Sequence, residues 1–141
     1  MVKMKFIDAS VFLYAYLKPR KDLPPELSRL KAKAKEIISR IEKGEPVMIS
    51  VVHLSEIANI IESRASLSKS IEIIESIIML NNVRIKDVSL NDYLSAIKIA
   101  REKSVGINDA LAYYLMKKHG ISEIYSFDKH FDNFKDIKRK N

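Results

Sequence analysis

Short hydrophobic runs alternate along the chain with longer segments whose hydrophobic positions recur at helical spacing. Four short runs, at residues 3–7, 47–50, 83–86 and 123–127, are bounded by polar residues and predict β-strands. A fifth short strand is predicted near Ile137. Strands that alternate with helices favour a parallel sheet covered on both faces. The expected fold class is therefore α/β, with a central parallel sheet of four to five strands.

Four of the segments between these strands carry a hydrophobic stripe that predicts an amphipathic helix. The stripes are Leu27, Leu30, Ala34, Ile37, Ile38 and Ile41; Leu54, Ile57, Ile60 and Ile61; Leu67, Ile71, Ile74 and Ile78; and Tyr93, Ile97 and Ala100. Residues 110–116 are apolar on almost every side and predict a buried helix that ends near Gly120. Ser89 is the expected N-cap of the helix before it.

Four separate segments each place one carboxylate near the same edge of the predicted sheet. Asp8 follows the first strand, Asp128 follows the fourth, Glu56 lies in the helix after the second, and Asp109 begins the buried helix. Ligands of a parallel sheet bind beyond the carboxyl ends of its strands. Each acid alone has an ordinary alternative as a helix cap, a helix-dipole partner, a solvated residue or a turn residue. Their coincidence at one edge favours a site.

A cluster of four carboxylates needs protons or a cation. Two carboxylates about 4 Å apart repel by roughly 4 kcal/mol at an effective dielectric constant of 20. The chain has no cysteine, which excludes a thiolate zinc site and a cysteine nucleophile. Carboxylate oxygens without thiolates or paired histidines suit Mg²⁺ or Mn²⁺, ions that support phosphodiester cleavage.

The overall charge points to a polyanionic partner. The 141 residues, which we expect to form one domain over 1–141, include 25 lysines and arginines against 18 acids, a net charge of +7. Basic residues cluster at positions 18–35 and 135–140 and are candidate contacts for a nucleic-acid backbone, although a solvated helix face is the alternative. The sequence has no predicted membrane span or signal peptide, so a cytoplasmic location is expected.

Four blocks in order along nearly the whole chain resemble the PIN-domain family, and within it the compact VapC-type toxin nucleases. The blocks are IDASVFL at 7–13, SVVHLSEI at 50–57, GINDAL at 106–111 and YSFDKHFD at 125–132. The resemblance implies a three-layer α/β/α sandwich and a Mg²⁺- or Mn²⁺-dependent endoribonuclease. It also implies a homodimer and, for the toxin branch, a small antitoxin protein as partner.

On the family pattern, Asp8, Glu56, Asp109 and Asp128 form the catalytic and metal-binding quartet. Asp8 and Asp109 would be the most direct metal ligands, and the other two would complete the shell, bind a second ion or orient the attacking water. Four further residues are candidates for substrate binding, namely Ser10, Asn108, Lys129 and His130. Asp132 falls where some family members carry an additional acid, and we assign it a weaker role.

Other features leave alternatives open. The proline-containing segment 18–30 is longer than in the smallest toxins, so a nuclease of RNA maturation is an alternative, as is a non-catalytic RNA-binding module. His53, His119 and His130 show no catalytic spacing, and surface positions are expected for all three. A set of apolar residues predicts either core packing or a face that binds a second copy or an antitoxin, namely Ile71, Ile74, Ile77, Ile78 and Met79.

Overall fold

The computed structural model describes residues 3–18 and 24–141 and contains a five-stranded sheet flanked by six α-helices. The strands are β1 (Lys5–Ile7), β2 (Val47–Ser50), β3 (Val83–Lys86), β4 (Glu123–Tyr125) and β5 (Lys138–Lys140). The helices are α1 (Ala9–Tyr16), α2 (Pro25–Glu42), α3 (Val51–Arg64), α4 (Leu67–Ile78), α5 (Leu90–Lys103) and α6 (Ile107–Lys118). A 3-10 helix spans Lys129–Asn133.

All strand pairs are parallel, and the strand order is β3-β2-β1-β4-β5. The chain builds outward from β1 through β2 to β3 and then returns to the other side of β1 with β4. This reversal places the switch point of the sheet between β1 and β4, which is where a parallel sheet opens a crevice for ligands. The predicted α/β class with a parallel sheet is confirmed.

Alternating side chains on the strands point to two separate cores, as the two-residue period of a strand requires. Ile7, Val47 and Ile49 join a core built with α1, α2, α3 and α4 on one face of the sheet. Phe6 and Met48 join the core on the other face, where α5, α6 and the 3-10 helix pack. Helices therefore cover both faces, and the expected α/β/α sandwich is confirmed.

The predicted element boundaries need small corrections. The first and fourth strands are shorter than expected, and the fifth begins one residue after Ile137. Part of the segment 18–30 is helical, because α2 already begins at Pro25. The fixed φ of proline suits the first position of a helix. The remainder of that segment, residues 19–23, lies outside the described residues. Ser89 caps α5 as predicted, and Gly120 follows the end of α6 with a φ of +68°.

The hydrophobic stripe predicted for α4 is only partly correct. Ile74 is partly buried against the core as predicted, whereas Leu67, Ile71 and Ile78 are 58%, 49% and 54% exposed. Ile73 and Ile77, which the predicted stripe did not include, are buried instead. The buried face includes Ser70, whose hydroxyl donates a 2.8 Å hydrogen bond to the carbonyl of Ala58 on α3. A buried serine is acceptable here because its polar group has a partner. The exposed face of α4 is continued by Met79, which is 79% exposed.

No α-helix in ranges 3–18 and 24–141 combines the length and apolar character that crossing a bilayer would require.

Candidate active site

The carboxylate of Asp8 lies buried at the carboxyl end of β1. Its backbone N–H donates to the carbonyl of Tyr125, which continues the pairing of β1 with β4 for one more residue. Asp8 occupies the N-cap position of α1, but its side chain makes no capping bond to the helix. Instead, Asp8 Oδ2 accepts hydrogen bonds from Ser10 Oγ at 2.8 Å and Ser126 Oγ at 2.9 Å.

Asp128 is held next to Asp8 by the same serine. Ser126 Oγ accepts a 2.9 Å hydrogen bond from the backbone N–H of Asp128 while it donates to Asp8. The carboxylate of Asp128 accepts from the backbone N–H of His130 at 2.9 Å and so begins the 3-10 helix. Ser126 is fully buried, and the sequence analysis missed it because it placed this serine inside the predicted strand 123–127, whereas β4 ends at Tyr125.

Glu56 and Asp109 come together through Asn108. Glu56 lies on α3, one helical turn after the buried His53, and Asp109 lies in the first turn of α6. Asn108 Nδ2 donates a 2.7 Å hydrogen bond to Glu56 Oε1. The Asn108 amide, a candidate for substrate binding, is thus engaged with an acid of the site.

The electrostatics of Asp109 show that all four acids converge. Burial and the negative charges of Asp128, Asp8 and Glu56 raise the pKa of Asp109 to about 8. A side-chain interaction with Asp128 that favours the protonated form of Asp109 acts in the same direction. The structure therefore brings together the four acids that the sequence places far apart, at the switch point of the sheet.

His130 completes one side of this cluster. Its Nδ1 lies 2.8 Å from Asp128 Oδ1 and 3.9 Å from Asp109 Oδ2, and its ring is exposed as expected. One ligand atom each from Asp109, Asp128 and His130 lie within 4.8 Å of one another, and Asp8 and Glu56 are not in that group. The donor set of carboxylate oxygens with one imidazole fits a divalent cation such as Mg²⁺ or Mn²⁺, and the raised pKa of Asp109 records the need for positive charge.

His53 does not lie on the surface, so the expectation for this histidine is wrong. Its ring is fully buried at the start of α3 and contacts the edge of Phe6, with ring centroids 5.4 Å apart. Both ring nitrogens have hydrogen-bond partners, Ser50 Oγ and the carbonyl of Asn108. The burial lowers the pKa of His53 and keeps the ring neutral.

Asp132 is paired with a basic residue of the last strand. Its carboxylate accepts two hydrogen bonds from Arg139, at 3.0 and 3.2 Å, and this guanidinium lowers the pKa of Asp132. Lys140 pairs with Glu123 at 3.4 Å. Arg139 and Lys140 thus tie the last strand to the fold, which accounts for part of the basic cluster at residues 135–140.

The other basic cluster also has a structural member. Lys31 Nζ donates to the carbonyls of Tyr14, Ala15 and Leu17, at 2.7 to 3.3 Å, and so holds the end of α1. A positive charge at this position is stabilising because the carboxyl end of a helix carries the negative end of its dipole. Lys33 and Lys35 are exposed on α2, as a solvated helix face requires, and Arg20 and Lys21 lie outside the described residues.

A groove adjoins the site at Ser10, whose hydroxyl donates to Asp8. It has a volume of about 390 Å³, and its lining combines leucine side chains with Tyr14 and the cationic side chains of Lys18, Lys31 and Arg64. Lys129, a further candidate for substrate binding, is exposed beside Asp128 at the start of the 3-10 helix.

The fold and the site define a PIN domain. The model of the PIN-domain family matches residues 5–137, and the chain belongs to this family. The search of curated protein sequences gave no significant match.

Several solved toxin structures share the fold. VapC20 of Mycobacterium tuberculosis, described as a toxin that cleaves the sarcin-ricin loop, has a TM-score of 0.70 and 22% identity over 92% of this chain and 93% of that one. VapBC2 of Rickettsia felis, solved with promoter DNA, has a TM-score of 0.66 and 13% identity over 99% and 98% of the two chains. VapBC-1 of nontypeable Haemophilus influenzae has a TM-score of 0.65 and 15% identity over 99% and 98%. At these identities the likeness concerns the fold alone.

Proposed function

We propose that the protein is a divalent-metal-dependent endoribonuclease in which residues 1–141 act as one nuclease domain. The observation that carries this proposal is the convergence of four acids at the switch point of the sheet, where burial and the charges of Asp128, Asp8 and Glu56 raise the pKa of Asp109 to about 8. A half-buried cluster of carboxylates of this kind suits a bound cation. Asp8, Glu56, Asp109 and Asp128 are its ligands and catalytic residues, with His130 at the exposed side.

Each side chain then has a defined task. A bound Mg²⁺ or Mn²⁺ would supply positive charge to the scissile phosphate and lower the pKa of an attacking water. Asp8 and Asp109 hold the cation, while Ser10 and Ser126 orient the carboxylate of Asp8 through its Oδ2. Glu56 and Asp128 accept the proton of the water or bind a second cation, and His130 contacts the phosphate.

RNA is the substrate class that the charge distribution supports. The net charge of +7 surrounds an acidic cluster, so phosphates are attracted to the surface while the cleavage site itself holds the metal. Lys18 and Arg64 in the groove and Lys129 beside Asp128 lie where a strand leaving the acids would pass. Tyr14 in the same groove offers a face on which a base can stack.

The biological role that the VapC fold supports is that of the toxin in a type II toxin–antitoxin pair. The partner would be a small antitoxin, and the active form a homodimer located in the cytoplasm. The exposed apolar side chains on one face of α4, with Met79 after it, favour a protein partner. Growth arrest on expression, relieved by the protein encoded alongside, separates this role from RNA maturation, in which expression alone would not be toxic.

The experiment that tests the proposed chemistry is cleavage of a mixed RNA pool. Wild-type protein is incubated with Mg²⁺, Mn²⁺ or EDTA beside Asp8→Asn and beside Asp87→Asn, a control in an exposed loop outside the cluster. We expect cleavage that requires the metal, disappears in Asp8→Asn and persists in Asp87→Asn. Equal cleavage by wild type and Asp8→Asn would refute the assignment, and RNA binding without cleavage under any condition would favour the non-catalytic module.

A further inference from the structure

The imidazole of His53 joins two segments that carry acids of the site. Its Nε2 lies 2.9 Å from the carbonyl oxygen of Asn108, a residue 55 positions further along the chain. Its Nδ1 is hydrogen-bonded to Ser50 Oγ at the last position of β2. The ring is completely buried, and its edge-to-face contact with Phe6 restricts rotation about the side-chain bonds.

The hydrogen-bond partners determine the tautomer of His53. A backbone carbonyl can only accept, so Nε2 must carry the proton in order to bond Asn108. In the neutral ring, Nδ1 then accepts from the hydroxyl of Ser50. The same hydroxyl accepts a 3.2 Å hydrogen bond from the backbone N–H of His53, so Ser50 caps α3 and orients the ring at once. Every polar atom of the ring is satisfied, and each bond has one direction.

Asn108 receives support from two sides. Its backbone carbonyl is bound by His53, and its side-chain amide donates to Glu56 Oε1 at 2.7 Å. His53 and Glu56 lie one turn apart on α3, and Asp109 is the residue that follows Asn108 on α6. Two hydrogen bonds therefore connect the beginnings of α3 and α6. One is accepted by the backbone carbonyl of Asn108 and the other is donated by its side-chain amide, and Asp109 is the next residue.

We propose that His53 is a positioning residue that holds Asn108 in the first turn of α6 and thereby sets the separation of Glu56 and Asp109 for binding one divalent cation. This inference rests on the proposed metal-dependent function. Partners that orient metal ligands through hydrogen bonds change metal affinity about 10- to 100-fold when they are removed. An apolar residue could fill the same volume, but it would remove the hydrogen bond that joins α3 to the carbonyl of Asn108.

Two polar substitutions at His53 separate positioning from packing. The amide nitrogen of Gln reaches about as far as Nε2, so His53→Gln can keep the bond to Asn108 and lose the one to Ser50. The amide of Asn reaches about as far as Nδ1, so His53→Asn can keep Ser50 and lose Asn108. Ser70→Ala is the control, because it removes another buried hydrogen bond to α3, at 2.8 Å, away from the acids.

The measurement is a Mn²⁺ titration of the full chain followed by electron paramagnetic resonance, together with thermal unfolding. We expect Mn²⁺ affinity to fall at least about tenfold in His53→Asn, as it does when other residues that orient metal ligands are removed. In His53→Gln and Ser70→Ala it should stay within about threefold of wild type. All three variants should unfold at a lower temperature. Equal losses of affinity in His53→Asn and His53→Gln, or no loss in either, would overturn the proposal.

A readout without metal keeps this test distinct from failure of the proposed function. Nitrogen NMR of the metal-free wild type should show His53 protonated at Nε2 and unprotonated at Nδ1. The side-chain amide protons of Asn108 should exchange slowly with solvent in wild type and His53→Gln, and rapidly in His53→Asn. The opposite tautomer, or the same exchange rate in all variants, would refute the positioning role. Wild-type protein that shows the expected NMR behaviour but binds no Mn²⁺ would refute the metal function and, with it, the role in metal binding.

Discussion

The hydroxyl of Ser126 donates a 2.9 Å hydrogen bond to the carboxylate of Asp8 across the join between β4 and β1. The same oxygen accepts from the backbone N–H of Asp128. One buried hydroxyl therefore orients two acids that lie 120 positions apart in the chain, and a serine is suited to this because it can donate and accept simultaneously.

The substitution Ser126→Ala should weaken both the fold and the site. It removes the buried hydrogen bond to the Asp8 carboxylate and the partly buried bond from the Asp128 N–H, so we expect the free energy of unfolding to fall by about 1–3 kcal/mol. We expect cleavage to fall about tenfold or more, because Asp8 loses one of its two orienting bonds. Urea unfolding and initial cleavage rates give both values. Ser76→Ala, which removes a 2.7 Å bond to the carbonyl of Ile73 on α4, is the control and should leave cleavage unchanged.

The substitution Asp109→Asn should separate activity from stability. We expect cleavage to fall at least about 100-fold, more than for a residue that only orients a ligand. In EDTA at pH 7 the variant should be at least as stable as wild type, because the amide removes an ionisable group that the other three acids and burial disfavour. Differential scanning calorimetry checks this order, and a variant clearly less stable than wild type in EDTA would contradict the electrostatic account.

The stability of the metal-free protein should depend on pH through Asp109. Its pKa is about 8 in the folded chain and about 3.9 in an unfolded chain, so between these values the folded state binds one more proton. The free energy of unfolding should therefore decrease as pH rises towards 8, by at most about 1.4 kcal/mol per unit. The lowered pKa values of His53 and His119 act in the opposite direction and only below about 6.5.

The window from about pH 6.5 to about pH 8 thus isolates Asp109. Denaturant unfolding in EDTA across this window should show the decrease in wild type and none in Asp109→Asn. Adding Mg²⁺ should reverse the trend, because a cation that binds the ionised acids competes with the proton. A wild-type profile that is flat in EDTA would mean that Asp109 ionises normally.

Asp132 and Asp128 should respond differently to the same change. Asp132→Asn breaks a mostly exposed pair with Arg139, so we expect a loss of stability of about 1 kcal/mol or less and cleavage within about threefold of wild type. Asp128→Asn should abolish cleavage, because Asp128 adjoins Asp109 and His130. Parallel cleavage assays decide the point, and loss of activity in Asp132→Asn would return this acid to the site.

The two faces of α4 should differ in their tolerance of truncation. Ile73→Ala removes a buried side chain and should lower the free energy of unfolding by about 2–4 kcal/mol, whereas Ile71→Ala should change it by about 0.5 kcal/mol or less. Chemical unfolding at low protein concentration measures both. A large effect of Ile71→Ala that grows with protein concentration would show that a second copy covers this face.

The stripe on α4 also shows where sequence patterns reach their limit. Isoleucines at 71, 73, 74, 77 and 78 contain more than one set with helical spacing, and the pattern does not say which set is buried. The buried set includes Ser70, which hydrophobicity alone would assign to the surface. His53 was misplaced for the same reason, because a histidine becomes a core residue only when the fold supplies partners for both ring nitrogens.

The amino-acid sequence by itself determined the order of strands and helices along the chain, the parallel sheet, and the four segments that each carry one acid of the site. These follow from local periodicity and from the position of each acid relative to a predicted strand or helix. The PIN-domain assignment followed from motifs of the same local kind. Only the tertiary structure decided that Ser126 joins Asp8 to Asp128, that Asn108 bonds Glu56, and that Arg139 neutralises Asp132. The Ser126–Asp8 and Asn108–Glu56 bonds join residues more than fifty positions apart. Asp132 bonds Arg139 although Lys129 and Lys135 are nearer in the sequence. Which polar groups meet therefore depends on how the helices and strands pack, and local sequence does not encode that packing.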